Sequence, residues 1–193
     1  MLNWLAGETR DLQRFSVLDV GSGFGDALRQ IHRRAVSRGQ RVRLVGLDLH
    51  PWSTRAARES TPANHPIEFL TEDLFRYVPP EPFDFVISTQ FAHHLNDSDI
   101  TRFIRWMERH ARCGWFICDL MRHRFSYLGF PLLAFAAGWH HYVRHDGRVS
   151  IGRSFVPGDW RRLLQSAGVP EGAATISRHA PFRLCVSRRC ALP

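Results

Sequence analysis

The sequence predicts an α/β domain: a doubly wound, Rossmann-like, seven-stranded sheet that is mostly parallel. Short apolar runs alternate with segments whose apolar residues recur at helical spacing, as in strands joined by crossover helices. The first of these runs leads through a glycine-rich turn into a helix. The last two flank a turn that contains a proline, so we expect them to form an antiparallel C-terminal hairpin.

The elements follow from apolar periodicity and from residues that start or stop helices. Asp26 is expected to cap the first helix and Gly39 to end it, Pro51 opens the second, and Asp97 is expected to cap the third. The predicted helices are residues 27–37, 51–60, 97–112 and 159–167, the last of them introduced by Pro157. The predicted strands are residues 16–20, 43–49, 67–70, 83–89, 114–119, 174–177 and 183–187.

The composition is that of a globular domain with a surplus of positive charge. Of 193 residues 44% are hydrophobic, and 26 Lys and Arg against 18 Asp and Glu give a net charge of +8. The length suits a single domain over residues 1–193, and the charge favours anionic partners without choosing among them. No secretory signal is recognisable, and the longest apolar stretch, residues 127–139, is too short to span a bilayer. We therefore expect a cytoplasmic protein.

The four cysteines stand as two Cys-x4-Cys pairs, Cys113 with Cys118 and Cys185 with Cys190. Three of them lie in or beside apolar, strand-like runs, where buried free thiols are more typical than zinc ligands. No metal site is predicted.

The turn after the first strand carries Gly21, Gly23 and Gly25. Glycines permit a tight turn and let the backbone approach a ligand, while the following helix offers free N–H groups. The spacing departs from the dinucleotide fingerprint, because Asp26 stands where the last glycine would be and its charge disfavours a pyrophosphate. A cofactor with a positive sulfonium and amino group and no phosphate suits this turn better.

Two further acids follow the next strands. Asp48 ends the second predicted strand, where a carboxylate accepts hydrogen bonds from ribose hydroxyls, and Asp73 follows the third. Because the carboxyl ends of parallel strands meet at one edge, these acids and the glycine turn together predict a ligand crevice.

These segments, with the fourth strand, resemble the first four motifs of class I S-adenosylmethionine-dependent methyltransferases in order and spacing. The matching segments are Val17-Leu18-Asp19-Val20-Gly21-Ser22-Gly23-Phe24-Gly25-Asp26, Val45-Gly46-Leu47-Asp48, Glu72-Asp73-Leu74 and Phe83-Asp84-Phe85-Val86-Ile87-Ser88. Residues 89–95, Thr-Gln-Phe-Ala-His-His-Leu, resemble small bacterial members that act on quinones, phenols and polyketides. The resemblance implies S-adenosyl-L-methionine as the cofactor.

The resemblance also implies roles for individual residues. The three glycines would pass under the methionine portion of the cofactor, with Asp19 near its amino group. Asp48 would hold the ribose, with Leu49 in the same site. Asp73 and Leu74 would frame the adenine, and Thr89 or Gln90 would contact the sulfonium side. Relatives usually carry a longer N-terminal cover than the residues that precede the first strand here, which leaves open a homodimer or a partner subunit.

Residues 120–152 form an aromatic and His-rich insertion after the fifth predicted strand. Placed there, the apolar part, residues 125–139, would cover the crevice and line an acceptor pocket; a helix packed on the core and a peripheral contact with a membrane surface remain open alternatives. Methyl transfer to a hydroxyl needs a base, and imidazole titrates near working pH. His94, which follows the fourth strand, is our first candidate, with His141 and then His145 as weaker ones.

We therefore expect a methyltransferase for a small hydrophobic phenolic, quinone-like or polyketide acceptor, with O-methylation favoured over C-methylation. Enzymes that methylate DNA amino groups carry Asn-Pro-Pro-Tyr or Asp-Pro-Pro-Tyr after the fourth strand, where this chain reads Ser88-Thr89-Gln90-Phe91. DNA is not expected as a partner, and RNA is disfavoured because the arginine pairs are scattered along the chain. The alternatives are a non-catalytic binding or scaffolding subunit and an RNA methyltransferase.

Overall fold

A computed structural model describes residues 1–122 and 153–190. Their strands form a single seven-stranded sheet. The helices are α1 (Leu2–Glu8), α2 (Asp26–Ser37), α3 (Pro51–Glu59), α4 (Asp97–His110) and α5 (Pro157–Ala167), and a 3₁₀ turn spans Ala92–His94. The strands are β1 (Arg14–Val20), β2 (Arg41–Asp48), β3 (Ile67–Thr71), β4 (Phe83–Thr89), β5 (Ala111–Leu120), β6 (Ala174–His179) and β7 (Arg183–Arg189).

The strand order is β3-β2-β1-β4-β5-β7-β6. Strands β1 to β5 pair in parallel, whereas β7 lies antiparallel between β5 and β6. This confirms the predicted doubly wound sheet with its antiparallel hairpin. The chain leaves β1 on one side for β2 and returns on the other side as β4, so the order reverses beside β1. In open α/β sheets ligands bind at such a switch point, outside the carboxyl ends of the strands.

Alternating side chains divide the apolar core between the two faces of the sheet. In β1, Phe15 and Val17 face one layer with α1, α2 and α3, while Leu18 and Val20 face the other with α4 and α5. The fully buried Trp115 and Trp160 belong to the second layer. Both faces of the sheet are therefore covered, which is why its central strands are almost continuously apolar.

Three details of the helices differ from the sequence-based expectations. The N-cap of α2 is Gly25 rather than Asp26, which is the first helical residue and pairs with Arg29. The N-cap of α4 is Asn96 rather than Asp97, because the Asn96 side chain accepts the Asp99 N–H at 2.9 Å. Helix α4 ends at His110, earlier than expected, because the chain passes directly into the pairing of β5 with β4.

Helix α1 was not predicted. It has only seven residues, too few to show a helical period in the sequence, and it is held by tertiary contacts of Leu5, Trp4 and Leu2 with the first apolar layer. The strands are also longer than predicted at their polar ends: β1 begins at Arg14 and β2 at Arg41. Arg14 and Arg41 stand opposite each other in the register of the two strands. Because they are charged, an apolar pattern does not include them.

The cysteines in the described residues are free thiols. Cys185 is buried and the other three are half-buried, and the Cys185 thiol lies 3.0 Å from the Cys118 sulfur across β5 and β7. Within residues 1–122 and 153–190, no three His, Cys, Asp or Glu side chains gather as metal ligands. Over the same residues, no helix is long and apolar enough to cross a membrane.

Glu108 links its own helix, α4, to strands β5 and β7. Its Oε1 accepts the indole N–H of Trp115 at 2.6 Å, and its carboxylate accepts the Arg188 Nε–H at 2.7 and 3.0 Å. Trp115 is fully buried on β5 and Arg188 lies on β7, so one carboxylate ties a helix to the junction of the parallel sheet with the hairpin.

We expect Glu108→Ala to lower the free energy of unfolding by about 1–3 kcal/mol, because the buried indole N–H then has no acceptor. Urea denaturation monitored by fluorescence measures the change. The matched control is Glu81→Ala, which removes an exposed carboxylate that pairs with Arg43 at 2.8 Å, and should cost less than about 1 kcal/mol. Equal losses in the two variants would contradict the interpretation.

Candidate functional site

A cavity of about 770 Å³ opens at the carboxyl ends of the strands around the switch point. Its volume is within the range of small-molecule sites. The turns that follow β1, β2, β3 and β4 all contribute to its wall. The lining residues are Val20, Gly21, Gly23, Leu47, Asp48, Leu49, His50, Trp52, Ser53, Glu72, Asp73, Leu74, Phe75, Gln90, Phe91, His94 and Leu95.

The glycine turn needs its glycines for two reasons. Gly21, Gly23 and Gly25 all have positive φ, at 71°, 52° and 76°. A Cβ on Gly21 would also come within 2.6 Å of the Phe91 ring, which occupies that space. The turn is fixed to β2 by hydrogen bonds from the Gly21 N–H, at 2.8 Å, and the Ser22 N–H, at 3.1 Å, to the Leu47 carbonyl. The backbone is thereby brought to the surface of the cavity.

Asp48 connects the turn after β1 with the turn after β2. Its Oδ2 accepts the Gly23 N–H and its Oδ1 accepts the His50 N–H, both at 2.9 Å. Each carboxylate oxygen can accept a further hydrogen bond, so the group remains able to bind hydroxyls in the cavity. Its carbonyl accepts the Glu72 N–H at 3.1 Å, which brings the turn after β3 to the same place.

Asp19 lies beneath this surface at the end of β1. It is 1% exposed, and its Oδ1 has no hydrogen-bond partner among the described residues. Burial, and secondarily the negative charge of Asp48, raise the pKa of Asp19 from 3.8 to about 8. The side chain is therefore mostly protonated at neutral pH, and a positive group close to it would favour the ionised form.

The turn after β3 contributes a third acid and an apolar wall. The Asp73 Oδ1 accepts the Phe75 N–H at 2.8 Å, which tightens the turn, and Leu74 is buried beside it. With Asp48 and Glu72, Asp73 makes this end of the cavity acidic, although the whole chain carries a net charge of +8. Such a local charge favours a positively charged ligand.

The segment after β4 closes the other end of the cavity. Gln90 has φ of 56°, a strained value for a residue other than glycine, and its N–H donates to the Cys118 carbonyl at 2.8 Å. This conformation turns the chain away from the sheet, and Phe91, His94 and Leu95 reach the cavity. His94 is the polar side chain between two apolar ones there.

His93 lies behind His94 and away from the lining. Its Nδ1 is 2.7 Å from Oδ1 of Asp119, and its backbone N–H donates to Oδ2 of the same carboxylate at 3.0 Å. Asp119 is fully buried near the end of β5. The His93 and His94 rings face each other, with their centroids 4.2 Å apart.

The structure brings most of the sequence-predicted site residues to one cavity. Eight of them line it: Gly21, Gly23, Asp48, Leu49, Asp73, Leu74, Gln90 and His94. Three do not. Asp19 is buried under the lining, Gly25 caps α2 and packs against the Phe69 ring, and Thr89 is half-buried opposite Cys118. His141, His145 and the aromatic segment 125–139 lie outside the described residues.

Several lining residues, and the acid behind them, were not predicted from the sequence. Phe91 and Leu95 stood in the segment quoted for the resemblance, but neither of them received a role. Trp52, in the first turn of α3, is 58% exposed and packs against Phe24 with ring centroids 5.8 Å apart, and an aromatic beside Asp48 was the available signal. Asp119 is an acid in an otherwise apolar strand, and such a residue needs a buried partner.

Comparisons with known proteins place the chain among methyltransferase-like folds. A family profile described as "Methyltransferase domain" matches residues 17–114. Among solved structures, the plantazolicin methyltransferase BpumL, in complex with a monoazolic desmethylPZN analog and SAH, is 12% identical with a TM-score of 0.74. The similarity covers 96% of this chain and 80% of that one. None of the curated proteins matches.

Two further solved structures are similar at comparably low sequence identity. The magnesium protoporphyrin IX methyltransferase ChlM from Synechocystis PCC 6803, with bound SAH, is 17% identical with a TM-score of 0.64, over 98% of this chain and 80% of that one. A variant of LepI, in complex with SAH and a substrate analogue, is 15% identical with a TM-score of 0.66, over 96% of this chain and 46% of that one. At these identities the similarity shows a shared fold.

The raised pKa of Asp19 makes a prediction about stability. Between its ordinary value of 3.8 and its folded value of about 8, the folded chain holds a proton that the unfolded chain has released. The contribution of Asp19 to the free energy of unfolding therefore falls as pH rises between these two pKa values. Asp19→Asn carries no such proton, so its free energy of unfolding relative to the unmodified chain should increase from pH 5 to pH 8.

Urea denaturation of both proteins at several pH values between 5 and 8.5 measures this difference. The matched control is Asp26→Asn, which removes an exposed acid of the same segment, and the Asp19→Asn difference should change more with pH than the Asp26→Asn difference. A constant offset for Asp19→Asn would show that Asp19 is ionised in the folded protein.

Proposed function

The chain belongs to the class I S-adenosylmethionine-dependent methyltransferases, and we propose that it methylates a hydroxyl of a small hydrophobic acceptor of the phenolic, quinone-like or polyketide type. We further propose that His94 removes the proton of that hydroxyl. The observation that carries the proposal is that His94 lines the cavity together with the apolar Phe91 and Leu95 of the same segment.

The residues of the acidic end fit S-adenosylmethionine. The buried Asp19 Oδ1 has no hydrogen-bond partner in the described chain, and the amino group of the cofactor would supply one together with the positive charge that ionises Asp19. Asp48 keeps acceptor capacity for ribose hydroxyls. Asp73 and Leu74 would frame the adenine, with Leu49 beside the ribose. When bound, the cofactor supplies a methyl group on an activated sulfonium.

The apolar end of the cavity fits the acceptor. Phe75, Phe91 and Leu95 line it, and side chains of these sizes favour a flat apolar molecule over a strongly charged one. A ligand that lies between the acidic end and the post-β4 segment would present its reacting atom beside Gly21 and Gln90. The methyl donor and the acceptor hydroxyl would then share one water-poor space, where orientation contributes much of the rate.

His94 would accept the hydroxyl proton as the oxygen attacks the methyl carbon. The new O–CH₃ bond forms while the S–CH₃ bond breaks, the sulfur keeps the bonding electron pair, and the proton stays on the imidazole until solvent removes it. C-methylation of the same kind of ring also begins with loss of the hydroxyl proton. O-methylation is the favoured outcome because the hydroxyl held by His94 is already the nucleophile.

The similar structures do not select the acceptor. One of these proteins is described by its action on plantazolicin and another by its action on magnesium protoporphyrin IX. Acceptors so different on one fold indicate that recognition depends on the residues around the methyl donor rather than on the sheet. Among the described residues, the acceptor end carries apolar side chains, the neutral amide of Gln90 and the imidazole of His94, and that composition supports a neutral, hydroxyl-bearing acceptor.

We expect Asp48→Ala to weaken S-adenosylhomocysteine binding by about 1.5–3 kcal/mol, the value of hydrogen bonds to a charged group. The loss comes from the ribose contacts and from the two backbone N–H groups that Asp48 now orders. Isothermal titration calorimetry measures it. Asp26→Ala, an exposed acid in the glycine segment, is the matched control and should bind normally. An unchanged affinity of Asp48→Ala would exclude the proposed ribose contact.

We expect His94→Ala to lower kcat by about 10²- to 10⁴-fold, because a general base is lost. The affinity for S-adenosylhomocysteine should stay within about twofold, since the imidazole would face the acceptor. Turnover should recover partly at higher pH, where more of the acceptor hydroxyl is already ionised. The assay uses a panel of phenols, quinols and alkylpyrones.

The exposed histidine of the outermost strand, His179, provides the control, and His179→Ala should keep the kcat of the unmodified enzyme. Normal turnover of His94→Ala would remove His94 as the base. If the unmodified protein binds S-adenosylhomocysteine but methylates no member of the panel, a binding or scaffolding role is supported instead. Methylation of RNA, with binding that falls steeply as salt rises, would support the RNA alternative.

A further inference from the structure

We propose that Asp119, acting through His93, positions the His94 imidazole and stabilises the positive charge that His94 acquires with the acceptor proton. The inference rests on the proposed role of His94 and adds two positioning residues to it. Neither of them is among the residues that line the cavity.

Asp119 is a buried carboxylate with its hydrogen bonds already in place. It is fully buried, and its Oδ1 accepts the Leu120 N–H at 2.6 Å besides meeting His93 Nδ1 at 2.7 Å. Its Oδ2 accepts the His93 backbone N–H at 3.0 Å. A charge removed from water to this degree is tolerated only with such donors around it. The carboxylate is therefore held in one orientation.

This arrangement determines the state of the His93 ring. As an ionised carboxylate, which can only accept, Asp119 requires Nδ1 of His93 to carry the hydrogen between them. Fixing one nitrogen fixes both the tautomer and the plane of the ring. With a backbone bond and a side-chain bond to the same carboxylate, His93 cannot turn without breaking one of them.

The fixed ring supports the catalytic candidate. The His93 and His94 rings lie with centroids 4.2 Å apart and planes inclined by 37°. His93 is 7% exposed, whereas His94 is exposed toward the cavity. One face of the His94 ring is therefore occupied by the hydrogen-bonded His93 ring, which restricts the rotamers of an otherwise exposed side chain. A base held in this way needs less reorientation before it meets the acceptor hydroxyl.

Asp119 and His93 also affect the positive charge that His94 acquires on protonation. When His94 takes the proton it becomes an imidazolium, one ring away from a carboxylate that water does not screen, and opposite charges attract strongly in such surroundings. Across the cavity other groups also face His94. Those in the described lining are Asp48, His50, Glu72 and Asp73, while Arg122, beyond β5, is paired with Asp159 at 3.0 Å.

A structural role alone would not require the charge of Asp119. Two backbone N–H groups, of His93 and Leu120, need acceptors, and neutral oxygens can serve that purpose. The difference between the two roles is therefore visible in the pH dependence of turnover. Loss of the charge should make the imidazolium of His94 less stable, which a loss of packing does not do.

The test is Asp119→Asn, assayed for kcat, acceptor KM and S-adenosylhomocysteine affinity across pH. We expect kcat to fall by about 10- to 100-fold, the size of effect that orienting partners of a histidine have elsewhere. The acid limb of the kcat profile should move to lower pH, while KM and the affinity for S-adenosylhomocysteine stay within about twofold. A uniform loss at every pH, with the acid limb unmoved, would overturn the proposal.

Asp97→Asn is the matched control, because Asp97 is an exposed acid at the start of α4, close in sequence to the histidines. It removes the same charge and should leave the profile unchanged.

A second variant decides the question if Asp119→Asn does not fold. His93→Gln keeps an amide donor for Asp119 but removes the ring that supports His94, and we expect a lower kcat with an unchanged acceptor KM. An unchanged kcat would overturn the positioning role. The two proposals fail in different ways: normal turnover of His94→Ala removes the base itself, whereas a large loss in His94→Ala beside unaffected Asp119 and His93 variants removes only this inference.

Discussion

The hydrogen bonds that Asp48 accepts from Gly23 and His50 hold together the two turns on which the cavity depends. One turn follows β1 and the other follows β2, and neither has regular secondary structure of its own. The Leu47 carbonyl adds two bonds to the glycine turn from the same strand. The position of Phe91 over Gly21, and hence the direction of the segment after β4, follows from this junction.

Two buried carboxylates on neighbouring parts of the sheet illustrate opposite uses of burial. Asp119 is surrounded by N–H donors, so its charge is supported before any ligand arrives. Asp19 has an oxygen without a partner among the described residues, and its pKa is raised to about 8. A positive ligand beside it would therefore favour its ionised form. A site that binds a cation gains from the second arrangement, at the expense of stability in the empty protein.

The position of the cavity follows from the topology of the sheet, whereas the proposed acceptor selectivity rests on a short segment after β4. Parallel strands on either side of β1 create the crevice in any doubly wound sheet, and structures only 12–17% identical share this fold. In the proposed site, the residues after β4 lie at the acceptor end, where Gln90 adopts a positive φ. Changes in a few such side chains can alter which acceptor binds without any change in the sheet.

The sequence by itself determined the order of the strands along the chain, the glycine turn and the acids after β2 and β3, because these depend on local periodicity and on residue types with one dominant use. The family resemblance and the cofactor followed from them. Tertiary structure alone decided the rest. Helix α1 needed a surface to pack against, and Asp119 met His93 across 26 positions of sequence. The pairing of Asp119 with His93 arises only when β4 and β5 lie side by side, so no local sequence pattern can predict it.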